Sequence, residues 1–321
     1  MHRDRRHARF AVGWGSAVLL LIIVLLYQFR QPIFQQATAA SAPSDSYAIY
    51  ESCGTSRGCF GRVDAIAAGG FKEVVDYSLW DGNPSMQDML TYADHANSDG
   101  LKIIWNFKDF WQMSAPYAQV YPAMAASCGC STNSDFLTYV VTILGSHPAT
   151  WGYYIADEPS ASSHPAVQAV SDLIHHADPA HPRLFVGLAW SVAAVNSVLG
   201  LYADTAEVLA TDYYPIGKGL DVNATGALAH AVQQVATSHG RSAAMVLQAH
   251  SWNHYPQGAY APPCVAAPYP TRDDMRAQLQ QTLTKSTPRL VLWYSYFDLL
   301  TPLCPEDDYA THWSNLESVI R

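Results

Sequence analysis

Apolar positions along the chain gather into short runs separated by segments with a helical period. The runs are Tyr47–Glu51, Phe71–Tyr77, Leu101–Phe107, Trp151–Ala156, Arg183–Ala189, Glu207–Thr211, Ala243–Ala249 and Leu290–Tyr296. Runs this short and this apolar suit strands covered on both faces. Helical spacing occupies Gly61–Ala68, Ser85–Ser98, Ser134–Gly145, Pro165–Ala177, Ser191–Leu199, Thr225–Ser238, Arg272–Ser286 and Tyr309–Ile320. Ser134 suits the N-cap of its helix, while Gly100 and Gly240 stand where two others stop. Eight strands alternating with eight helices over residues 47–321 predict a (β/α)8 TIM barrel. A doubly wound sheet is the alternative fold. It lacks support, because no Gly-rich phosphate loop follows the first strand. Two long loops interrupt the rhythm, at Lys108–Thr132 and from His250 to Pro270.

The segment before the barrel has a different pattern. Residues 1–9 form a basic tail with Arg3, Arg5, Arg6 and Arg9. Phe10–Gln28 is an uncharged apolar run closed by Arg30, long enough for a transmembrane helix within residues 10–29. Its arginines belong on the cytoplasmic side. Residues 30–46 are rich in Ala, Ser, Gln and Pro and read as a linker. The rival is a cleaved signal peptide, since Ala37-Thr38-Ala39 offers small residues for processing. Both readings export the body, either as a single-pass membrane protein with the barrel outside or as a protein secreted after cleavage near Ala39.

Charge and cysteine content agree with that placement. The net charge is −9, and after residue 30 acids outnumber bases about two to one, so nucleic acid is not an expected partner. Six cysteines suit an oxidising compartment. The expected pairs are Cys53 with Cys59 and Cys264 with Cys304, which leaves Cys128 and Cys130 to close a very tight ring. No Cys or His spacing demands zinc, and no metal or cofactor is expected. Nine Trp and 19 Tyr are more than a core needs, and aromatic planes suit the C–H faces of sugar rings.

A barrel does its chemistry where its strands end. The strand ends here gather Glu51, Asp76, Asn106, Asp157 with Glu158, Asp212 with Tyr213 and Tyr214, Gln248, His250, Trp252, Trp293 and Tyr294. The opposite face has only turns such as Ala68-Gly-Gly70 and Ser146-His-Pro148. The stretch Ala156-Asp-Glu-Pro159 ends the fourth strand in two carboxylates. It resembles the glycoside hydrolases built on (β/α)8 barrels, whose general acid is a Glu at the end of strand four in an Asn-Glu-Pro or Asp-Glu-Pro setting. The ending Thr211-Asp-Tyr-Tyr-Pro215 and Trp293 on the eighth strand are similar to that clan as well. The resemblance covers nearly the whole exported body. It implies O-glycosidic hydrolysis of an extracellular polysaccharide or cell-surface glycan, with Glu158 as the acid; the protein is expected to be a monomer.

One departure shapes the mechanism. Retaining members carry a nucleophilic Glu at the end of strand seven, where this chain has Gln248. An amide cannot form the glycosyl ester. Three readings follow. Asp212 activates water in an inverting reaction, or Asp157 orients the substrate's own acetamido group beside Glu158, with Tyr213 or Tyr214 steadying it. In the third, the barrel binds glycans without catalysis. Trp252 and Trp293 are the expected stacking platforms. Tyr294, Tyr213, Tyr214, Gln248, His250, Asn106, Asp76 and Glu51 are the remaining expected substrate contacts. Neighbours on a strand face opposite ways, so only one of Asp157 and Glu158 is expected in the cleft, and Glu158 is the choice.

Overall fold

The computed structural model describes residues 46–255, 268–301 and 308–321. The predicted anchor (10–29), most of the linker, Cys264 and Cys304 lie outside the described residues. Among the described residues no helix is long and apolar enough to cross a membrane.

Eight strands form the barrel: β1 (Tyr47–Glu51), β2 (Glu73–Asp76), β3 (Lys102–Asn106), β4 (Thr150–Asp157), β5 (Arg183–Leu188), β6 (Val208–Tyr213), β7 (Ser242–Gln248) and β8 (Leu290–Tyr294). Each pairs in parallel with the next, and β8 pairs with β1 to close the sheet. The barrel expectation holds because every strand is apolar on both sides. Ala48, Val75, Ile104, Leu184, Val208, Ala244 and Leu290 pack together as the interior. Their neighbours Ile49, Val74, Ile103, Phe185, Leu209, Met245 and Val291 form the larger layer against the helices. Both layers exclude water, so neither face alternates with polar residues.

Helix ends follow local chemistry. Ser85 and Asp88 make a capping box before the helix Met86–Ser98, and Thr271 and Asp274 repeat it before Arg272–Lys285. Ser134 is not a cap. Thr132 accepts from the Asp135 amide at 3.0 Å, and the helix runs Asn133–Gly145. The expected loop 108–132 contains short helical turns at Phe110–Gln112, Tyr117–Val120 and Pro122–Cys128. β8 stops two residues short of the expected Tyr296, because Ser295 begins the short helix Tyr296–Leu300. Gly152 has a packing reason: a Cβ there would lie 2.2 Å from the Pro182 carbonyl oxygen.

Several polar groups brace the frame between sheet and helices. The buried Arg183 guanidinium donates to Glu207 at 3.0 Å through Nε and to the Ser171 carbonyl. The Tyr153 hydroxyl donates to Asp178 at 2.6 Å. Disulfides join Cys53 to Cys59 and Cys128 to Cys130.

Candidate active site

Strand polarity brings the strand-end side chains to one mouth, but alternation decides which of them enter it. On β1 and β2, Tyr50 lies in the interior layer with Val75 and Tyr77, while Glu51 and Asp76 turn outward. Glu51 is fully buried, accepts from the Ser52 amide and pairs with Arg62 at 2.9 Å. Asp76 accepts from the amides of Cys53, Gly54 and Ser78. Both acids are loop anchors, not the cleft groups expected from the sequence. Burial pushes Glu51 up to about 7, against the pull of Ser52 and Arg62. Asn106 holds the chain as well, donating to the Tyr77 carbonyl at 3.1 Å and accepting from the Lys108 amide.

The same period of two separates the aromatic candidates. Tyr214 and Tyr294 pack with the interior layer. Tyr213 and Trp293 pack in the sheet–helix layer, where Tyr213 donates to the Asp221 carbonyl and Trp293 is fully buried. Trp293 is therefore core, and Tyr294 takes the cleft position on β8.

β4 breaks the rule that its neighbours obey. Its register with β5 shifts between Tyr154 and Ala156, a β-bulge that resets the alternation. Glu158 then adopts φ +47°, a left-handed conformation that is costly for a residue with a Cβ. Bulge and turn together bring both adjacent carboxylates to the cleft. Asp157 accepts from the Tyr77 hydroxyl at 3.0 Å, with Tyr154 beside it. Glu158, on the exposed side, lies beside the carboxyl group of Asp212 on β6, whose Oδ1 is buried without a hydrogen-bond partner.

Burial and that proximity together set the electrostatics. Asp212 is pushed well above the carboxylate range, first by burial, then by the charge of Glu158 and its hydrogen bond, then by Asp157. Glu158 is raised chiefly by burial, with the Asp212 hydrogen bond and Lys218 pulling the other way. Two carboxyl groups in contact hold one proton between them. Asp212, 7% exposed and the more deeply set, is the member that keeps it. Burial also raises Asp157.

Aromatic rings wall the site. Tyr50 packs edge-on against Tyr77, Tyr154 and Tyr294, with centroids 5.1 to 6.1 Å apart. Burial and the nearby acids push the hydroxyls of Tyr50, Tyr77, Tyr154 and Tyr214 well above their ordinary value, so they remain donors. On the far wall His250 donates through Nδ1 to the Tyr294 carbonyl at 3.1 Å, ringed by Tyr214, Trp252, Tyr255 and Tyr294. Burial lowers it to about 3, and it is neutral.

Gln248 faces the cleft but is fully occupied. Its Oε1 accepts from the Ile216 amide at 2.7 Å, while Nε2 donates to the carbonyls of Ile216 at 2.9 Å and His250 at 3.0 Å. It clamps the loop after β6 to β7. That loop delivers Lys218, a residue the strand-by-strand reading missed because it follows Gly217 rather than ending a strand. Its ammonium sits 3.1 Å from the centroid of Trp252 and 4.6 Å from that of Trp190. One face of Trp252 is thereby covered. Lys108, also missed, lies over the Tyr77 ring at 4.7 Å and pairs with Asp109.

No protein-family model and no curated protein matches the sequence. Solved structures do resemble the barrel. A Bacteroides thetaiotaomicron protein assigned as an α-L-fucosidase superposes with a TM-score of 0.57 at 12% identity, over 81% of this chain and 89% of that one. A β-galacturonidase from Eisenbergiella tayi gives 0.53 at 13%, over 84% of this chain and half of that one. An endo-β-1,4-mannanase from Thermotoga petrophila gives 0.51 at 10%, over 85% and 76%. The shared feature is the fold. All three carry the names of glycoside hydrolases.

Proposed function

We propose that the protein hydrolyses O-glycosidic bonds, with Glu158 as the group that protonates the leaving oxygen. The supporting observation is the carboxyl pair, Glu158 beside the buried Asp212, at the strand-end mouth of a barrel walled by tyrosines. A general acid needs a proton at neutral pH. The pair stores one, because burial and like charge raise both groups. Glu158 is the exposed member and meets the substrate, while Asp212 resupplies the proton.

The contact argues against Asp212 as the water-activating base. An inverting pair stands about 6.5–9.5 Å apart to admit water, and a retaining pair about 5–5.5 Å. Carboxyl groups near enough to share a proton leave no room for water between them. Asp157 is the remaining cleft carboxylate, oriented by Tyr77, and we assign it the second role: steering the attacking water or the substrate's own acetamido group. We place the barrel outside the membrane, from the apolar run at residues 10–29 and the cysteine content, and fractionation of cells expressing the full chain tests it.

The chemistry is tested with Glu158→Gln on a panel of polysaccharides. Sugar release should fall by about 10²–10⁴-fold while glycan binding persists. Binding without release by the wild-type protein would identify a glycan-binding barrel and end the enzyme reading.

A further inference from the structure

Lys218 is a cleft group whose chemistry the proposed hydrolysis leaves unused. It donates no hydrogen bond and makes no ion pair among the described residues, although three N–H donors are available to it. It is half-buried, held by the faces of Trp190 and Trp252 rather than by a carboxylate. Its loop is fixed, because Gln248 grips Ile216 through both the amide and the carbonyl. A long amine tethered this way has lost the rotamer freedom that a surface lysine keeps. Trp190 is 47% exposed, and Leu188, which faces Asp212 across the β5–β6 ladder, is 40% exposed. The rim beside Lys218 is thus open and apolar, as a sugar ring's C–H face requires.

Resting on the hydrolase reading, we propose that Lys218 makes this cleft select a uronic acid, binding the sugar carboxylate with its ammonium beside Glu158. One cation without an acidic partner matches one negative charge. A phosphate dianion would meet Asp157 and Glu158 with excess charge of the same sign, and a neutral sugar would leave the ammonium without a partner. Burial lowers Lys218 and the nearby Asp212 and Glu158 raise it, so the amine is poised between two environments and gains from a carboxylate at contact distance.

The test uses monosaccharides, which the enzyme cannot cleave, so binding is read apart from turnover. Galacturonic acid is compared with galactose, and glucuronic acid with glucose, by quenching of tryptophan fluorescence and by calorimetry on the full chain. At least one uronic acid should bind about tenfold or more tightly than its neutral partner. Lys218→Met should erase the difference and Lys218→Arg should keep it, with thermal unfolding showing that both variants fold. Equal affinities, no binding of either uronic acid, or a preference that survives Lys218→Met would overturn the proposal. A uronate preference without turnover of any glycoside would keep the subsite and sink the hydrolase reading. Turnover of neutral glycosides without uronate preference would do the reverse.

Discussion

Gln248 stands where retaining glycosidases of this fold carry their nucleophile, so Gln248→Glu asks whether the position is a lost catalytic site or a structural clamp. The structure predicts the second. The substitution keeps an oxygen for the Ile216 amide but turns the donor Nε2 into an acceptor against two buried carbonyls, at 2.9 and 3.0 Å. Each carbonyl stripped of its donor costs about 1–3 kcal/mol. A protonated Glu would restore one bond, but holding that proton at pH 8 against an ordinary value near 4.3 costs about 5 kcal/mol at 1.36 kcal/mol per unit. The cheaper compromise is the ionised Glu at pH 8, a loss of about 2–6 kcal/mol, and the protonated Glu at pH 5, where one stripped carbonyl and about 1 kcal/mol for the proton make a loss of about 2–4 kcal/mol. The sign follows from linkage: a carboxyl raised in the folded state binds more protons folded than unfolded, so stability falls as pH rises. Guanidinium unfolding at the two pH values, followed by tryptophan fluorescence, measures it. Stability within 1 kcal/mol of wild type at pH 8 would refute the clamp, and so would a glycosyl ester trapped on residue 248 by a fluorinated sugar.

Two further predictions rest on buried carboxyls. Asp212→Asn removes a group that is protonated when folded and ionised when unfolded, so unfolding should show the variant more stable than wild type above about pH 5. Its sugar release should drop by about 10²-fold or more, because Glu158 loses its proton supply. Glu51, raised to about 7 from 4.5 by burial, makes wild-type stability fall as pH climbs through that window. Glu51→Gln should flatten that slope, gaining about 2–3 kcal/mol at pH 8 relative to pH 5, and an unchanged slope in denaturant titrations would show that Glu51 is ionised in the fold.

Much of this was legible in the residues. The barrel follows from eight apolar runs spaced by helical segments, and Asp157-Glu158 fell at a strand end by counting alone. The inward set was legible too, had the period of two been anchored on Asp212. Tyr214 then faces in and Tyr213 out, and the register Leu247↔Trp293 sends Trp293 outward with its layer. Choosing Trp293 followed its likeness to the sugar-cleaving barrels and overlooked parity. Glu51 and Asp76 fail by the same count, because Tyr50 and Val75 already claim the interior. Two features had no local signal. The bulge at Ile155 and the left-handed Glu158 depend on how β4 meets β5, so they arise from tertiary pairing. Lys218 sits in a loop whose path is set by Gln248 from another strand, and no window of sequence contains that contact.

The departures from the pattern of the glycoside hydrolases that the sequence resembles belong together. A strand-seven carboxylate would add a negative charge to a cleft that already holds Asp157, Glu158 and Asp212. An amide there adds none and spends its hydrogen bonds positioning the loop that carries Lys218. With one proton shared by Glu158 and Asp212, the remaining charge is one carboxylate from the pair and Asp157. Lys218 and Lys108 act on these two in turn, each lowering the proton affinity of its neighbour. The two lysines thus offset part of the negative charge at a mouth walled by tyrosines, which lowers the cost of placing three acids together. Removing Lys218 should therefore do more than weaken a uronate: it should raise the proton affinity of Glu158 and move the alkaline limb of any pH–rate profile upward. If that limb does not move in Lys218→Met, the ammonium is not part of the charge balance that sustains the pair.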